Sequence, residues 1–503
     1  MIPKPVIAII GTTGVGKTKL SLELAARFKT EIINVDAMQM YKGFDILTNK
    51  ATLEERKAAP HHLIDFVEVD SEYQVQDFEK DALFKIEGLH SQGKIPILVG
   101  GTHYYIQSLL WKASLINLKA EKYCKDEAES LLKKEKMEAL LKQWEELSNK
   151  DLFEELEKVD PKMAEHWHVN DRRKVIRSLT VFHETGKPQS EWILERAKTP
   201  GEGKELRFNT IFLWLYANKA QLDTRLDTRV DRMVEQGLFE ELKQFQNLSN
   251  CLPGGEGQYD RGLKQAIGFR AFDAYFCALR DELDPITVEK LKKEGLEVMK
   301  QQTRKYAKKQ VGWIRNQLLP LYFNTPHFPS DTASSPTTSP LAKLYLLDAT
   351  DLDAWSSQVQ EKAVALVDEI LKTRRGPDPT SLSSVAAEYL KPPSKLKTEP
   401  VIATWFKKLC EECSRRIDRK TKKIVDPVIV NGERAWEEHL KSKGHRSQVH
   451  FNRHKALAII KQQPDLVNTP IDTSLPSPAG SSSSDQGITD PNQLEPSIQQ
   501  ASQ

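Results

Sequence analysis

Near the start of the chain, apolar residues come in short unbroken runs separated by segments with helical spacing. The run Val6 to Ile10 has no polar alternation, which predicts a strand buried on both faces. Helical spacing follows over 17–28, then a strand pattern from Glu31 to Val35 and a helix over 75–92. A second apolar run, Ile95 to Val99, leads into a helix over 103–112. Strands that alternate with helices predict a parallel sheet covered by helices, an α/β fold. From about 119 to 200 the pattern becomes almost wholly helical and highly charged, as in Leu131-Leu132-Lys133-Lys134-Glu135. This predicts an inserted helical lobe, whose plainer reading is a solvated helical face. Strand character returns over 209–216, and helices run on through Arg315 and Asn316.

Residues 324–341 are rich in Ser, Thr and Pro and read as a linker. A second such stretch surrounds 373–399, with short helical patterns between the two. The tail from about 464, which includes Ser481 to Ser484, holds too little apolar surface to fold. Between these parts sits a compact basic island at about 400–460.

Composition narrows the class. The 503 residues suggest about three domains. With 73 basic against 71 acidic residues, no global field announces a nucleic-acid partner, so local charge must decide. Five cysteines in so long a chain do not form a disulfide framework, which fits a reducing compartment. No apolar run approaches the roughly 18–20 residues of a membrane span. The first strand begins almost at once, which leaves no room for a leader peptide. The expectation is a soluble protein of the cytoplasm, with a nuclear or mitochondrial share left open, and a monomer.

The strongest chemical signal is Gly11-Thr12-Thr13-Gly14-Val15-Gly16-Lys17-Thr18, directly after the first strand and opening a helix. It fits the phosphate-cradling pattern G-x-x-x-x-G-K-[ST] in the context that pattern requires. Backbone N–H groups and the helix N-terminus receive phosphate oxygens, Lys17 adds a point charge, and the Thr18 hydroxyl can hold magnesium. Strand two ends in Asp36, whose carboxylate would face the loop across the crevice of a parallel sheet. It could bind magnesium, accept a proton from a nucleophile, or simply cap a helix. Strand three runs into Gly100-Gly101-Thr102, where Thr102 offers a small donor–acceptor. A nucleotide hydrolase usually carries an acidic metal-holding residue at that strand end, and here it is absent.

In the basic island, Cys410, Cys413, His439 and His445 are spaced C-x2-C-x25-H-x5-H. Two thiolates and two imidazoles suit the closed tetrahedral shell of a structural zinc site. Residues 405–455 hold 14 Lys plus Arg against 7 Asp plus Glu, a local excess suited to a phosphate backbone. Cys124, Cys251 and Cys277 show no partner pattern.

Taken in order, the motifs closely resemble those of the tRNA dimethylallyltransferase (tRNA isopentenyltransferase) family. After the loop and Asp36-Ala37-Met38-Gln39-Met40-Tyr41 come Pro60-His61-His62-Leu63-Ile64-Asp65, Gly100-Gly101-Thr102 and Asp160-Pro161. Then follow Asn170-Asp171-Arg172-Arg173, Arg225, Arg229-Val230-Asp231-Arg232, Lys264-Gln265-Ala266-Ile267-Gly268 and Gln302-Thr303-Arg304-Lys305-Tyr306-Ala307-Lys308-Lys309-Gln310. The resemblance implies that the loop holds the diphosphate of dimethylallyl diphosphate and that the allyl group passes to N6 of adenosine 37 in tRNA. It implies a leaving-group role for Lys17, Thr18 with magnesium, and Arg229, a base role for Asp36, and a steadying role for Thr102. Candidate tRNA contacts are Asp36, Met38, Gln39, Thr102, Arg172, Arg173, Gln265, Arg304, Lys305, Lys308 and Lys309. The finger matches the eukaryotic type. The implied plan is a phosphate-loop core over 1–118 and 203–322, a helical insertion over 119–202, a linker over 323–399, the finger over 400–462 and the tail over 463–503. Rival readings are a transferase for free adenine nucleotides, a kinase or NTPase, and a silent RNA-binding protein.

Overall fold

The computed structural model describes residues 4–112, 127–198, 205–248, 262–325, 342–391, 407–414, 429–431 and 433–462. The stretch 326–341, the tail from 463, Cys124 and Cys251 lie outside the described residues. Two compact units divide at residues 406 and 407, and each is described by itself.

The larger unit is built on six parallel strands in the order β3-β2-β4-β1-β5-β6. These are β1 (Pro5–Gly11), β2 (Ile32–Asn34), β3 (His61–His62), β4 (Ile97–Val99), β5 (Asn209–Tyr216) and β6 (Ala342–Asp348). Alternate residues of β1 feed opposite faces: Val6, Ala8 and Ile10 join one core, Ile7 and Ile9 the other. The continuous apolar run follows from this, because a central parallel strand has no wet face. Helix α1 (Lys17–Phe28) follows β1 and buries Leu20, Leu24 and Ala25 against the second core.

The helical segment has a small core of its own around Trp144, Leu152, Leu156, Met163, Val175 and Leu179. Two of the family-like motif residues act inside it. Asp160 is 1% exposed; its Oδ1 accepts the Met163 N–H at 3.2 Å and its Oδ2 the Ser190 N–H at 2.9 Å. Arg172 donates to the carbonyls of Leu147 at 2.8 Å and Glu145 at 3.1 Å, to that of Trp144, and to Asn149 Oδ1 at 3.0 Å.

The largest departure from the sequence reading lies in the stretch taken as a linker with short helices. Ala342–Asp348 is a strand, β6, paired along its whole length with β5 from Thr210↔Ala342 to Tyr216↔Asp348. Both faces are covered, Leu344 and Leu346 by one core and Tyr345 and Leu347 by the other. So short an apolar run, bounded by Ser and Pro, has no alternation to separate strand from helix. After it, the helix Glu361–Thr373 packs Ala363, Leu366, Val367 and Ile370 into the second core. The helix Ser384–Tyr389 lies within the second linker-like stretch, and its Tyr389 ring sits 4.9 Å from that of Tyr216.

This segment also reaches the phosphate loop. Trp355 is buried, its indole N–H donates to Glu23 at 3.0 Å, and Lys19 Nζ lies 4.7 Å above its ring. A Cβ at Gly16, where φ is 102°, would fall 2.7 Å from the Trp355 ring. Glycine is required there for both conformation and space.

Candidate functional site

Three strand ends converge on one crevice. The chain leaves β1 into the loop 11–18, leaves β2 towards Asp36, and leaves β4 into Gly100-Gly101-Thr102. β1 lies between β4 and β5, where successive connections turn to opposite sides of the sheet. Ligands bind at such a switch point in open parallel sheets.

Within the loop, Lys17 Nζ donates to the Thr12 carbonyl at 2.6 Å, and Arg229 Nη1 donates to Thr13 Oγ1 at 2.8 Å. Arg229 comes from the helix Lys219–Glu235 that follows β5, so a cation from the second half of the core meets the loop. Burial lowers the Lys17 ammonium to about 8; Asp36 opposes the shift and Arg229 adds to it. Arg229 is likewise lowered by burial, to about 10, against the pull of Asp36. Two buried polar atoms here have no hydrogen-bond partner among the described residues, Thr12 Oγ1 and Arg229 Nε. Buried polar groups in native proteins are normally satisfied, so an orphaned donor beside two cations is what an anionic ligand would complete.

Facing the loop, Asp36 Oδ1 accepts the Met38 N–H at 3.0 Å and closes a turn over 37–40. No α-helix begins there, so the helix-cap alternative does not apply. Burial raises the Asp36 carboxyl above the usual range, opposed by the Met38 N–H and the charges of Lys17 and Arg229. Thr102 Oγ1 accepts the Ala37 N–H at 3.1 Å and ties the Gly-Gly-Thr turn to the turn that carries Asp36. The structure thus brings Lys17, Arg229, Asp36 and Thr102 to one cleft.

Three residues at the site had no role assigned from the sequence, although Tyr306 and Gln310 lie in the last of the family-like motifs. His103 is 3% exposed and accepts the Gly11 N–H through Nε2 at 3.3 Å. Burial and the neighbouring Lys17 press its pKa to about 3, so the ring stays neutral and leaves the site's positive charge to Lys17 and Arg229. Gln310 accepts the Thr13 N–H at 2.8 Å and donates to the Gly101 carbonyl at 2.9 Å. Tyr306 directs its hydroxyl towards Thr102 and Gln310, and burial with the Asp36 charge raises it well above its ordinary value. A further signal for Gln310 was a long polar side chain on the buried face of the helix Pro285–Trp313, in register with Thr303 and Ala307.

The remaining polar candidates divide by exposure. Lys305, Lys308 and Lys309 are exposed on the outer face of that helix, and Arg304 pairs with Asp227. Arg173 and Gln265 are exposed and meet at 3.3 Å across the gap between helical lobe and core. Gln39 donates to the carbonyls of Thr48 at 3.1 Å and Asn49 at 3.0 Å, beside the half-buried Met38. Arg172, another of the candidate RNA contacts, instead directs its guanidinium to backbone carbonyls of its own lobe.

In the smaller unit, β7 (Lys407–Leu409) pairs antiparallel with β8 (Ile429–Asn431). Cys410, Cys413, His439 and His445 bring their ligand atoms within 4.8 Å of one another. Cys410 Sγ and Cys413 Sγ lie 3.4 and 3.5 Å from His445 Nδ1, and His439 Nε2 is buried with no hydrogen-bond partner among the described residues. The cluster can hold a metal ion. Ser442 Oγ accepts the His445 N–H at 3.1 Å, which fixes the backbone that carries one ligand.

Comparisons with known proteins agree with this geometry. A sequence model described as IPP transferase matches residues 39–317, beginning just after Asp36. The chain is 35% identical over 457 residues to a tRNA dimethylallyltransferase of Schizosaccharomyces pombe, covering 90% of this chain and 96% of the relative. It is 36% identical over 454 residues to one of Saccharomyces cerevisiae, covering 90% and 94%. The solved structure of a eukaryotic dimethylallyltransferase acting on tRNA is similar at 33% identity and TM-score 0.66, covering 91% of this chain and all of that one. Among the described residues, no helix is long and apolar enough to cross a membrane.

Proposed function

The chain belongs to the IPP transferase family, and from that premise we propose that it transfers a dimethylallyl group from dimethylallyl diphosphate to tRNA. The acceptor is N6 of adenosine 37 beside the anticodon, and diphosphate is released. One observation carries this reading. A cationic, partly unsatisfied phosphate loop faces a single buried carboxylate, with no second acidic residue at the end of β4. That is a site for expelling a diphosphate and deprotonating a neutral nucleophile.

In the reaction, the bond from the allyl carbon to the diphosphate oxygen breaks and a bond from that carbon to N6 forms. Lys17, Arg229 and the loop N–H groups receive the charge that develops on the leaving oxygens. Asp36 accepts the proton that N6 sheds, and Thr102 holds the turn that aims it. The Thr18 hydroxyl is the hard oxygen ligand magnesium takes, and the bound ion would add positive charge at the diphosphate. The target base is drawn from the anticodon loop to reach the cleft. Met38, Gln39, Arg173, Gln265, Lys305 and Lys308 are the residues we assign to RNA contact. Incubation with unmodified tRNA and dimethylallyl diphosphate, followed by nucleoside mass analysis, tests the assignment. Isopentenyladenosine at position 37 is expected; no adduct, or one at another base, overturns it.

The pH profile follows from the site's charges. The value of kcat/KM for the prenyl diphosphate reports the free enzyme. It should rise as Asp36 ionises, at a pH above the ordinary carboxylate range, and fall as Lys17 loses its proton near pH 8. The groups are close enough to titrate jointly, so the limbs belong to the set. Lys17→Arg keeps the charge to higher pH, and the alkaline limb should move up with it. A limb that stays in place would belong to another group.

We assign zinc to the Cys410, Cys413, His439 and His445 cluster, whose two sulfur and two nitrogen donors suit that ion. One zinc per chain should be measured, and chelation should melt residues 407–462 while the larger unit keeps its transition. Loss of this basic unit should weaken tRNA binding and flatten its dependence on salt. Unchanged tRNA affinity after removal of residues 407–503 would refute that role.

A further inference from the structure

The two halves of the reaction sit on different parts of the core. The leaving group belongs to the loop after β1, and the base belongs to the turns after β2 and β4. A rate-competent site needs the two held at a fixed separation, since misplacement by about 1 Å costs on the order of 10²-fold in rate.

One carboxamide spans that gap. Gln310, 4% exposed, accepts the Thr13 N–H at 2.8 Å and donates to the Gly101 carbonyl at 2.9 Å. On the loop side, Thr13 Oγ1 receives Arg229 at 2.8 Å. On the other side, Thr102 follows Gly101 directly and binds the Ala37 N–H at 3.1 Å, next to Asp36. Arg229, Thr13, Gln310, the Gly101-Thr102 turn and Ala37 thus form a continuous hydrogen-bonded chain from electrophile to base. The spacing is tight: a Cβ at Gly101 would fall 2.4 Å from Gln310 Nε2 and 3.7 Å from Lys17 Nζ. A primary amide suits this place. It supplies one acceptor and one donor from a single neutral group, and adds no charge beside the diphosphate or Lys17.

We propose that Gln310 is a positioning residue for the transfer, setting the separation between the phosphate loop and the turn that carries the base. This rests on the prenyl-transfer reading of the site. The same helix carries Lys305, Lys308 and Lys309 outward, so its position is shared between the reaction centre and its exposed basic face.

The test compares wild type with Gln310→Met, which keeps length and flexibility but neither hydrogen bond, and with Gln310→Glu, which keeps the acceptor for Thr13 but not the donor to Gly101. Turnover, both KM values, tRNA Kd and melting temperature are measured on the full chain with unmodified tRNA and dimethylallyl diphosphate. For Gln310→Met, kcat should fall about 10²-fold, with tRNA Kd and KM for tRNA within twofold of wild type. Gln310→Glu should lose about tenfold or more in kcat and raise KM for the prenyl diphosphate, through repulsion of the diphosphate. Turnover within twofold of wild type in both variants overturns the proposal. So does a loss in kcat matched by equal weakening of tRNA binding, which marks a general loss of fold. If Gln310→Met does not fold, the kcat of Gln310→Glu decides alone. Wild type without product would instead sink the functional reading, so the two failures are distinguishable.

Discussion

Asp36→Ala should lower turnover by about 10²–10⁴-fold, the usual contribution of a positioned general base. The acceptor is an exocyclic amine whose lone pair is delocalised into the adenine ring, so it attacks well only as its proton leaves. Asp36 is the carboxylate that shares the cleft with Lys17 and Arg229. Its elevated pKa makes it a better proton acceptor than an exposed aspartate, and the charges of Lys17 and Arg229 oppose that rise and favour the ionised form. Asp36→Asn gives the sharper measurement. The amide oxygen can still accept the Met38 N–H that Oδ1 now takes at 3.0 Å, so the 37–40 turn survives. Loss of rate in Asp36→Asn with an unchanged tRNA Kd assigns the effect to charge and basicity. Near-normal turnover in both variants would reduce Asp36 to the residue that closes a turn.

What could be read from the sequence was what is written locally. The loop 11–18 is eight adjacent positions with a strand before and a helix after, and β5 is eight consecutive residues of strand character. The α/β class follows from the same alternation. The parts that stayed hidden are joined across long stretches of chain. Gln310 meets Thr13 across 297 positions, and Trp355 lies on Gly16 from beyond the Ser/Pro-rich stretch. No spacing rule links such positions, because their proximity is set by the packing of whole helices. β6 was lost for another reason. A strand apolar on both faces has no period, and Lys343 within it argues against burial until a partner is supplied by the fold. Arg172 and Arg173 show the limit of residue type: neighbours in sequence, one clamps carbonyls of its own lobe while the other stands exposed against Gln265.

Lys17→Ala should reduce transfer by about 10²–10³-fold, the range for removing one preorganised group from a developing oxyanion. The physical case rests on where the ammonium is kept. It is buried enough for its pKa to fall to about 8, so it has already lost much of its hydration before substrate arrives. A diphosphate entering the loop replaces that hydration and holds the ammonium protonated to higher pH. The attraction grows as negative charge concentrates on the departing oxygens, so the lysine favours the transition state over the bound substrate. Arg229 remains in Lys17→Ala and holds Thr13, so the loop's shape persists and KM for the prenyl diphosphate should change less than kcat. Lys17→Arg tests geometry against charge, because a planar fork does not replace a point charge in a pocket closed by Gly101. The decisive contrast is chemical. A phosphate loop of this pattern also suits an NTPase, and in that case Lys17→Ala would abolish ATP hydrolysis. The transferase reading requires that wild type consume dimethylallyl diphosphate in a tRNA-dependent manner and that this consumption fall in Lys17→Ala. Hydrolysis of ATP that depends on Lys17, with dimethylallyl diphosphate left untouched in the presence of tRNA, would show that the loop serves a different phosphate.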